Sequence, residues 1–206
     1  MIKAIIFDIG NVLLKFDYQL AFNAIAAHTG EISPALIASL EPLNRDFEAG
    51  VVGRSEFIRR VGEAIAFAGT EAEFVAAWEA IFVENHLMRD LVEKLRERYP
   101  LYLLSNVGKI HHEYIFRTYP VFESFTDGVF SYRARCLKPD PEIYQIAARQ
   151  FGVNPQETLF MDDMPANVEG ARQAGFQAVL YDFNAHEGFL AELARLGVEA
   201  DVAATC

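Results

Sequence analysis

The chain has 206 residues, of which 52% are hydrophobic and 23% are charged. This length suffices for one domain, or for one domain that carries an insert, and the composition excludes a disordered tail or a disulfide-rich miniprotein. The 18 basic and 29 acidic residues leave a net charge of −11, which disfavours binding to nucleic acid or to an anionic membrane surface. An anionic substrate would therefore need a local metal, lysine or helix N-terminus to attract it.

The cysteine content and the first apolar run indicate the cellular compartment in which we expect the protein. Cys136 and Cys206 are too few for a disulfide framework and fit a reducing cytoplasm. The apolar run at residues 3–7 is only a strand long and ends in an acid, so we do not expect a signal peptide. No stretch approaches the about 20 apolar residues of a membrane span. These features predict a soluble, cytoplasmic protein.

The hydrophobic pattern changes twice along the chain. Residues 3–7 form a short apolar run that predicts a buried strand. Residues 18–82 show helical spacing without a convincing strand; Ser33 and Pro34 open a helix over 35–40, and Thr70 caps another. From residue 87 onward strands and helices alternate. The predicted strands there are 101–104, 129–131, 158–161 and 178–181, and the predicted helices are 91–98, 110–117, 141–151, 166–174 and 189–196.

This alternation predicts an α/β fold, a Rossmann-like parallel sheet with helices on both faces. The helical stretch interrupts the pattern after the first strand, so we interpret it as an α-helical cap inserted into the core. The expected division is a catalytic core of residues 1–14 and 87–206 and a cap of residues 15–86. Residues 198–206 are expected to be loosely held.

Polar side chains stand where the predicted strands end, which is where ligands bind in an open α/β sheet. Each of them alone is typical of a turn, a helix cap or a solvated loop. Together they combine three carboxylates, which suit Mg²⁺, with a hydroxyl, an amide and an ammonium, which suit phosphoryl oxygens. They are Asp8, Ser105, Asn106, Lys138, Asp162 and Asp163.

Four ordered motifs resemble those of the haloacid dehalogenase superfamily: FDIGNV at 7–12, LSN at 104–106, KP at 138–139, and MDD at 161–163 with Asn167. The helical insert after the first motif resembles the cap of subfamily I of this superfamily. The Asp-x-Gly-Asn-Val form, with WEAIF at 78–82 and KPDPEIY at 138–144, is most similar to bacterial α-D-glucose-1-phosphate phosphatases. The resemblance covers essentially the whole chain.

The resemblance implies a Mg²⁺-dependent phosphomonoesterase that acts on a small phosphorylated metabolite such as a sugar phosphate. Asp8 would be the nucleophile and would form an aspartyl-phosphate that water then hydrolyses. Ser105 and the backbone beside Asn106 would bind phosphoryl oxygens, and Lys138 would offset the charge that Asp8 and the phosphate share. Specificity would come from the insert.

The same resemblance implies a magnesium site beside the nucleophile. Asp8, the backbone carbonyl of Gly10 and Asp163 would bind the metal directly, and Asp162 would bind it directly or through water. Three carboxylates would repel a phosphate, whereas Mg²⁺ and Lys138 make the local field attractive.

Gly10 departs from the pattern of the superfamily. Most of its phosphatases carry a second Asp two residues after the nucleophile, which protonates the leaving group and later activates water. The carbonyl of Gly10 can still bind a metal, but acid/base catalysis, worth about 10²–10⁴-fold, cannot come from its side chain. Another group replaces it, or the substrate has a good leaving group, or activity is weak. Asp17 and Glu48 are candidate substitutes, although each also fits a solvated or capping role.

Two other functions share these motifs. A haloacid dehalogenase also uses an Asp nucleophile, but the tandem acids Asp162 and Asp163 favour a metal that dehalogenation does not need. A non-enzymatic binding or regulatory protein could keep the fold without the acid at position 10. His111 and His112 are adjacent rather than one helical turn apart, which indicates a surface face of a helix rather than a zinc site. The exact substrate and the oligomeric state stay open.

Overall fold

The computed structural model describes residues 1–29 and 32–198. Its strands are β1 (Ala4–Phe7), β2 (Leu14–Phe16), β3 (Phe82–Glu84), β4 (Leu101–Ser105), β5 (Asp127–Phe130), β6 (Thr158–Asp162) and β7 (Gln177–Leu180). Its α-helices are α1 (Tyr18–Ile25), α2 (Pro34–Glu48), α3 (Arg54–Ala64), α4 (Glu71–Glu79), α5 (His86–Leu95), α6 (Lys109–Thr118), α7 (Ser131–Ala134), α8 (Pro141–Phe151), α9 (Pro165–Gln173) and α10 (His186–Arg195).

Five strands form a parallel sheet in the order β5-β4-β1-β6-β7, which confirms the predicted fold class. The register places Phe7 of β1 beside Leu103 of β4 and Met161 of β6. β1 is therefore the central strand, and its carboxyl end is flanked by the carboxyl ends of β4 and β6. This arrangement decides where the candidate functional residues meet.

Alternate residues of the strands pack on opposite faces of the sheet. Ile5 and Phe7 belong to a cluster that α5, α6 and α10 cover. Ala4 and Ile6 belong to a second cluster, which α8 and α9 cover. Because helices cover both faces, the central strands are buried on both sides, which explains why they read as continuous apolar runs rather than as alternating ones.

Helices α1–α4, which we call the helical insert, lie between β1 and β4 in the chain and carry an apolar cluster of their own. Phe57, Phe74 and Trp78 are buried in this cluster, and Ile110 of α6 joins it from the core side. The chain enters and leaves the insert through an antiparallel pair, β2 and β3. The sequence pattern did not predict this pair, and the division into a core and a cap of residues 15–86 stays a prediction.

Helix α2 is longer than the sequence predicts. Its start is confirmed, since the Ser33 hydroxyl accepts a hydrogen bond from the Leu36 N–H at 3.2 Å. The helix continues past Pro42 to Glu48, although a proline inside a helix costs about 3 kcal/mol. The next turns bury Leu43 and Phe47, and burial of side chains of this size contributes about 1.5–3 kcal/mol each. This packing offsets the proline and extends the helix toward the core.

The expectation that His111 and His112 lie on a surface was wrong, because both are buried. The insert covers α6 on one side: His111 stacks on Trp78 with ring centroids 5.8 Å apart, and its Nε2 lies 2.9 Å from the Trp78 carbonyl oxygen. His112 contacts Phe130 of β5 on the other side. Burial lowers the pKa of both histidines to about 4, so they stay neutral at physiological pH.

The end of the chain was also misjudged in part. Val198 is buried against the core rather than loosely held, and the rest of that prediction, for residues 199–206, lies outside the described residues. Among the described residues, the helices are too short or too polar to span a bilayer.

Candidate active site

The carboxyl edge of the parallel sheet brings together the polar side chains that the sequence singles out. Asp8 follows β1, Ser105 ends β4, and Asp162 ends β6. Asp163 comes next in the chain, and Lys138 enters from the loop between α7 and α8. The structure therefore places these residues at one edge of three neighbouring strands, as parallel pairing requires. All of them except Asp163 are buried.

Lys138 connects the two strands on which the acids stand. Its Nζ lies 2.8 Å from Asp8 Oδ1 and donates to Asp162 Oδ2 at 2.6 Å and to the Leu104 carbonyl oxygen at 2.9 Å. The lysine side chain is 1% exposed. An ammonium in such a place is stable only with full pairing, and two carboxylates and a carbonyl provide it.

Asn106 holds the backbone of this lysine. Its side-chain oxygen accepts from the Lys138 N–H at 2.8 Å, and its Nδ2 donates to the Lys138 carbonyl oxygen at 3.0 Å. Both ends of the amide are thus engaged in positioning Lys138. The predicted contact of the backbone beside Asn106 with phosphate stays a prediction.

The two tandem acids stand in different surroundings. Asp162 is fully buried. Its Oδ1 accepts from the Met164 N–H at 2.8 Å and from Asn167 Nδ2 at 2.9 Å, and its Oδ2 accepts from Lys138 Nζ. Asp163 is half-buried and accepts from Asn11 Nδ2 at 3.0 Å. The first acid is therefore saturated by partners within the protein, whereas the second keeps more of its coordinating capacity.

Three carboxylates converge closely enough to hold one cation. Asp8, Asp162 and Asp163 each offer an oxygen, and these oxygens all lie within 4.8 Å of one another. The single ammonium of Lys138 does not balance three carboxylates, so the cluster attracts positive charge. Oxygen donors of this kind suit a hard divalent ion such as Mg²⁺, and the residues present fit that ion.

The electrostatics of the cluster follow from burial and mutual repulsion. The pKa of Asp8 is raised, first by burial and then by Asp162 and Asp163, while Lys138 opposes the rise. Burial alone would lower the pKa of Lys138, but Asp8 and Asp162 outweigh it and raise this pKa above its ordinary value. Burial also raises the pKa of Asp163. A cation among the three acids would favour their ionised forms.

Gly10 lies two residues after Asp8 and is crowded. A Cβ built there would stand 2.9 Å from Cε1 of Phe16, closer than ordinary carbon contacts allow. The neighbouring Asn11 adopts a left-handed φ of 52°, whereas Gly10 itself does not have a positive φ. The crowding at Gly10 comes from the Phe16 ring rather than from its own backbone angle, and that ring would have to shift to admit a Cβ.

The candidate substitutes for the missing acid differ in position. Asp17 is exposed, and its Oδ1 accepts from the Gln19 N–H at 2.8 Å, so it caps α1. Glu48 is half-buried at the end of α2, and its Oε1 accepts from Asn44 Nδ2 at 3.1 Å. Burial, more than any other influence, raises the pKa of Glu48 to about 7.

Ser131 is a site residue that the sequence analysis missed. It is fully buried directly after β5, where its hydroxyl accepts from the Val107 N–H at 2.9 Å and donates to the Glu48 carbonyl oxygen at 2.6 Å. The signal that identified Ser105, a hydroxyl at the end of a strand, applied here too. It was overlooked because Ser131 was assigned to the strand itself, which ends at Phe130.

Comparison with known proteins decides the family. The model of the haloacid dehalogenase-like hydrolases matches residues 2–175 of the chain. The chain belongs to this family. The family resemblance expected from the four motifs is thereby confirmed, and the protein is a hydrolase whose relatives include phosphatases.

Two relatives and one solved structure show which members of the haloacid dehalogenase-like family the chain resembles. A D-ribitol-5-phosphate phosphatase of Bacteroides thetaiotaomicron is 30% identical over 86% of the chain and 90% of its own length. A phosphorylated carbohydrates phosphatase of Thermotoga maritima is 23% identical over 86% and 83%. A crystal structure of a family enzyme from Bacteroides thetaiotaomicron, in complex with magnesium and inorganic phosphate, has a TM-score of 0.81 and 26% identity over 91% of this chain and 99% of that one.

Proposed function

We propose that this family member is a Mg²⁺-dependent phosphomonoesterase that acts on a small phosphorylated metabolite through an aspartyl-phosphate on Asp8. The observation that carries the proposal is the arrangement around Asp8. A buried carboxylate at the end of the central strand is paired with a buried lysine and lies within a cluster of three acids. Phosphatase relatives and a neighbour crystallised with magnesium and phosphate support it.

Each side chain has a role in this proposal. Asp8 attacks phosphorus, and Lys138 offsets the charge that builds up between the carboxylate and the phosphoryl group. Ser105, at the end of the neighbouring strand, donates its hydroxyl hydrogen to a phosphoryl oxygen. Asn106 acts through Lys138, whose backbone it holds.

The metal would be held by Asp8, the Gly10 carbonyl oxygen and Asp163, with Asp162 binding directly or through water. Its chemistry would be to neutralise and orient the phosphoryl oxygens. Because Asp162 already accepts hydrogen bonds from Met164 and Asn167 and holds the lysine, the half-buried Asp163 is the more available direct ligand.

The substrate proposed first is a sugar phosphate such as α-D-glucose 1-phosphate. The sequence motifs favour it, and the carbohydrate phosphates named for two relatives belong to the same class. An anomeric oxygen is a better leaving group than an ordinary hydroxyl. We propose that residues 15–86 act as a cap that contacts the organic part of the substrate. The phosphatase relatives favour this function over a dehalogenase or a non-enzymatic protein.

The test is phosphate release across a panel of phosphorylated metabolites, with and without Mg²⁺, by the wild type and by Asp8→Asn. The amide has nearly the same shape but cannot attack phosphorus, so we expect turnover to fall below about 1% of wild type while the fold persists. Metal-independent release, or more than a few per cent of turnover left in Asp8→Asn, would contradict the proposal. Release of halide from 2-haloacids would point to the dehalogenase instead.

A further inference from the structure

The proposed reaction needs a proton at the leaving oxygen, and position 10 offers no side chain to provide it. Of the two carboxyl groups in the insert that the sequence suggests, Asp17 is exposed and its Oδ1 is engaged as the N-cap of α1. Glu48 instead stands where the insert meets the core.

A short hydrogen-bond relay fixes the end of α2 to the core. The Ser131 hydroxyl donates to the Glu48 carbonyl oxygen at 2.6 Å and accepts from the Val107 N–H at 2.9 Å. Val107 directly follows the motif that contains Ser105 and Asn106. One buried side chain thus joins the backbone that carries Glu48 to the loop proposed to bind phosphate.

Two glycines allow the insert and the core to approach this closely. A Cβ at Gly108 would overlap the Phe47 ring, and a Cβ at Gly50, whose φ is +68°, would overlap the Tyr132 carbonyl oxygen. These contacts flank Glu48 on both sides in the chain. The backbone of Glu48 is therefore held beside the sheet edge by close packing on both sides of it in the chain.

The surroundings of Glu48 favour a neutral carboxyl within electrostatic reach of the nucleophile. Burial and the charge of Asp8 raise its pKa, while Asn44, Arg45 and Lys138 oppose the rise, and the result is about 7. Asn44 also lines a cavity of about 220 Å³ with mostly apolar walls. An exposed glutamate would be ionised at neutral pH, whereas this one is poised to give and take a proton.

Tyr18 shares these surroundings. It lines the same cavity as Asn44, and the pKa of its hydroxyl is raised well above the ordinary value by burial and by Glu48. The phenol therefore stays protonated near neutrality. The glutamate is left as the group in this pair that can exchange a proton there.

We propose that Glu48, delivered by the helical insert, is the general acid and base that replaces the missing side chain at position 10. This inference rests on the proposed function. In the first step Asp8 bonds to phosphorus, the bond from phosphorus to the leaving oxygen breaks with its electron pair on that oxygen, and Glu48 protonates it. In the second step water attacks phosphorus, gives its proton to the Glu48 carboxylate, and the bond from phosphorus to Asp8 breaks to restore the carboxylate.

The experiment is a leaving-group series with Mg²⁺-loaded wild type, Glu48→Gln and Asp46→Asn. Asp46 is exposed on the same helix and provides the matched carboxyl-to-amide control. For alkyl and sugar phosphates, whose leaving oxygens need a proton, we expect kcat/KM of Glu48→Gln to fall by about 10²-fold or more. For 2,4-dinitrophenyl phosphate, whose leaving group needs none, we expect a loss below about 10-fold. Asp46→Asn should match the wild type throughout.

The second half-reaction gives an independent signature. Because Glu48 also activates water in the second step, Glu48→Gln should release one equivalent of dinitrophenolate in a burst and then turn over slowly as the phosphorylated enzyme accumulates, and the absence of a burst would overturn the role of Glu48 as the base. Turnover of the activated ester also shows that the variant is folded. Should Glu48→Gln fail to fold, Glu48→Asp takes its place, since it keeps the carboxyl but shortens its reach by one methylene, and the same unequal loss is expected.

An equal loss for all leaving groups, or no loss for any, overturns the role of Glu48. Failure of the proposed function looks different. Asp8→Asn should lose activity toward every ester, including the activated one. If Asp8→Asn still hydrolyses 2,4-dinitrophenyl phosphate, Asp8 is not the nucleophile, whatever the result for Glu48.

Discussion

The edge of the parallel sheet and the end of helix α2 supply chemistry in two different ways. At the sheet edge, Lys138 is joined to Asp8 and Asp162 by contacts of 2.6–2.8 Å, and burial excludes water from them. At the end of α2, the Glu48 side chain accepts a hydrogen bond from Asn44 Nδ2 at 3.1 Å and stays half-buried. A nucleophile and its counter-ion need fixed geometry, whereas a group that exchanges protons needs access to substrate and water.

The two regions should also differ in how substitutions affect stability and activity. Removing Lys138 leaves two buried carboxylates without their counter-ion, which damages the fold and the chemistry together. Changing a residue of the insert away from the contact with the core alters only local stability. The expected effects of substitutions therefore fall off from the sheet edge to the exposed helix caps of the insert.

Lys138→Ala should have the largest effect. The variant leaves two buried carboxylates without their ammonium, so we expect the free energy of unfolding without Mg²⁺ to fall by about 3–5 kcal/mol. We also expect kcat/KM for phosphate esters to fall by about 10²–10³-fold. Urea denaturation and steady-state kinetics measure both, with the exposed Lys94→Ala as the control. Wild-type values for both quantities would mean that the lysine is dispensable.

Alanine substitutions of the two tandem acids should affect Mg²⁺ binding and stability differently. Asp163→Ala should raise the dissociation constant for Mg²⁺ more than Asp162→Ala, because the half-buried acid is the more available ligand. Asp162→Ala should lower the free energy of unfolding by about 1–3 kcal/mol, since it strips acceptors from Met164 and Asn167. Calorimetric Mg²⁺ titration and urea melts of both variants decide the matter, and a reversed order in the titrations would exchange the assigned roles.

The pH dependence of the rate on alkyl phosphates should show whether Glu48 of the insert acts as the acid. The pKa of Glu48 is raised to about 7, so the carboxyl is protonated below that pH and can act as an acid. Activity on alkyl phosphates should then fall about tenfold per pH unit above it. Tyr18 and Lys138 have pKa values raised well above this range. Burial also raises the pKa of Asp8, and bound Mg²⁺ would hold that carboxyl in its ionised form. Profiles of rate against pH for the wild type and Glu48→Gln test this. If the fall in rate above pH 7 persists in Glu48→Gln, it comes from the titration of another group.

The smallest effect is expected from Thr70→Ala, at the exposed start of helix α4 in the insert. The Thr70 hydroxyl accepts from the Glu73 N–H at 3.3 Å, and Glu73 Oε2 accepts from the Thr70 N–H at 2.7 Å. Loss of this capping box should cost about 1 kcal/mol of unfolding free energy and leave kinetic constants unchanged. A changed kcat in this variant would show that the insert and the sheet edge are more tightly coupled than their contacts indicate.

Local signals account for what could be predicted. The apolar runs predicted the central strands, Ser33 and Thr70 marked helix starts that the structure confirms, and the acids after strands predicted the cluster at the sheet edge. These predictions succeed because strand pairing, capping and the common direction of parallel strands depend on residues close in the chain or on a general rule of topology.

The amino-acid sequence by itself thus determined the α/β class, the family motifs and the set of polar residues at the sheet edge. Only the tertiary structure decided that Asn106 holds Lys138, that His111 is buried under Trp78, and that the backbone of Glu48 is hydrogen-bonded to Ser131 of the core. The physical reason is sequence separation. Ser131 and Glu48 are 83 positions apart. Hydrophobic periodicity and helix caps report only on residues close in the chain, so they do not show which distant backbone segments pack together.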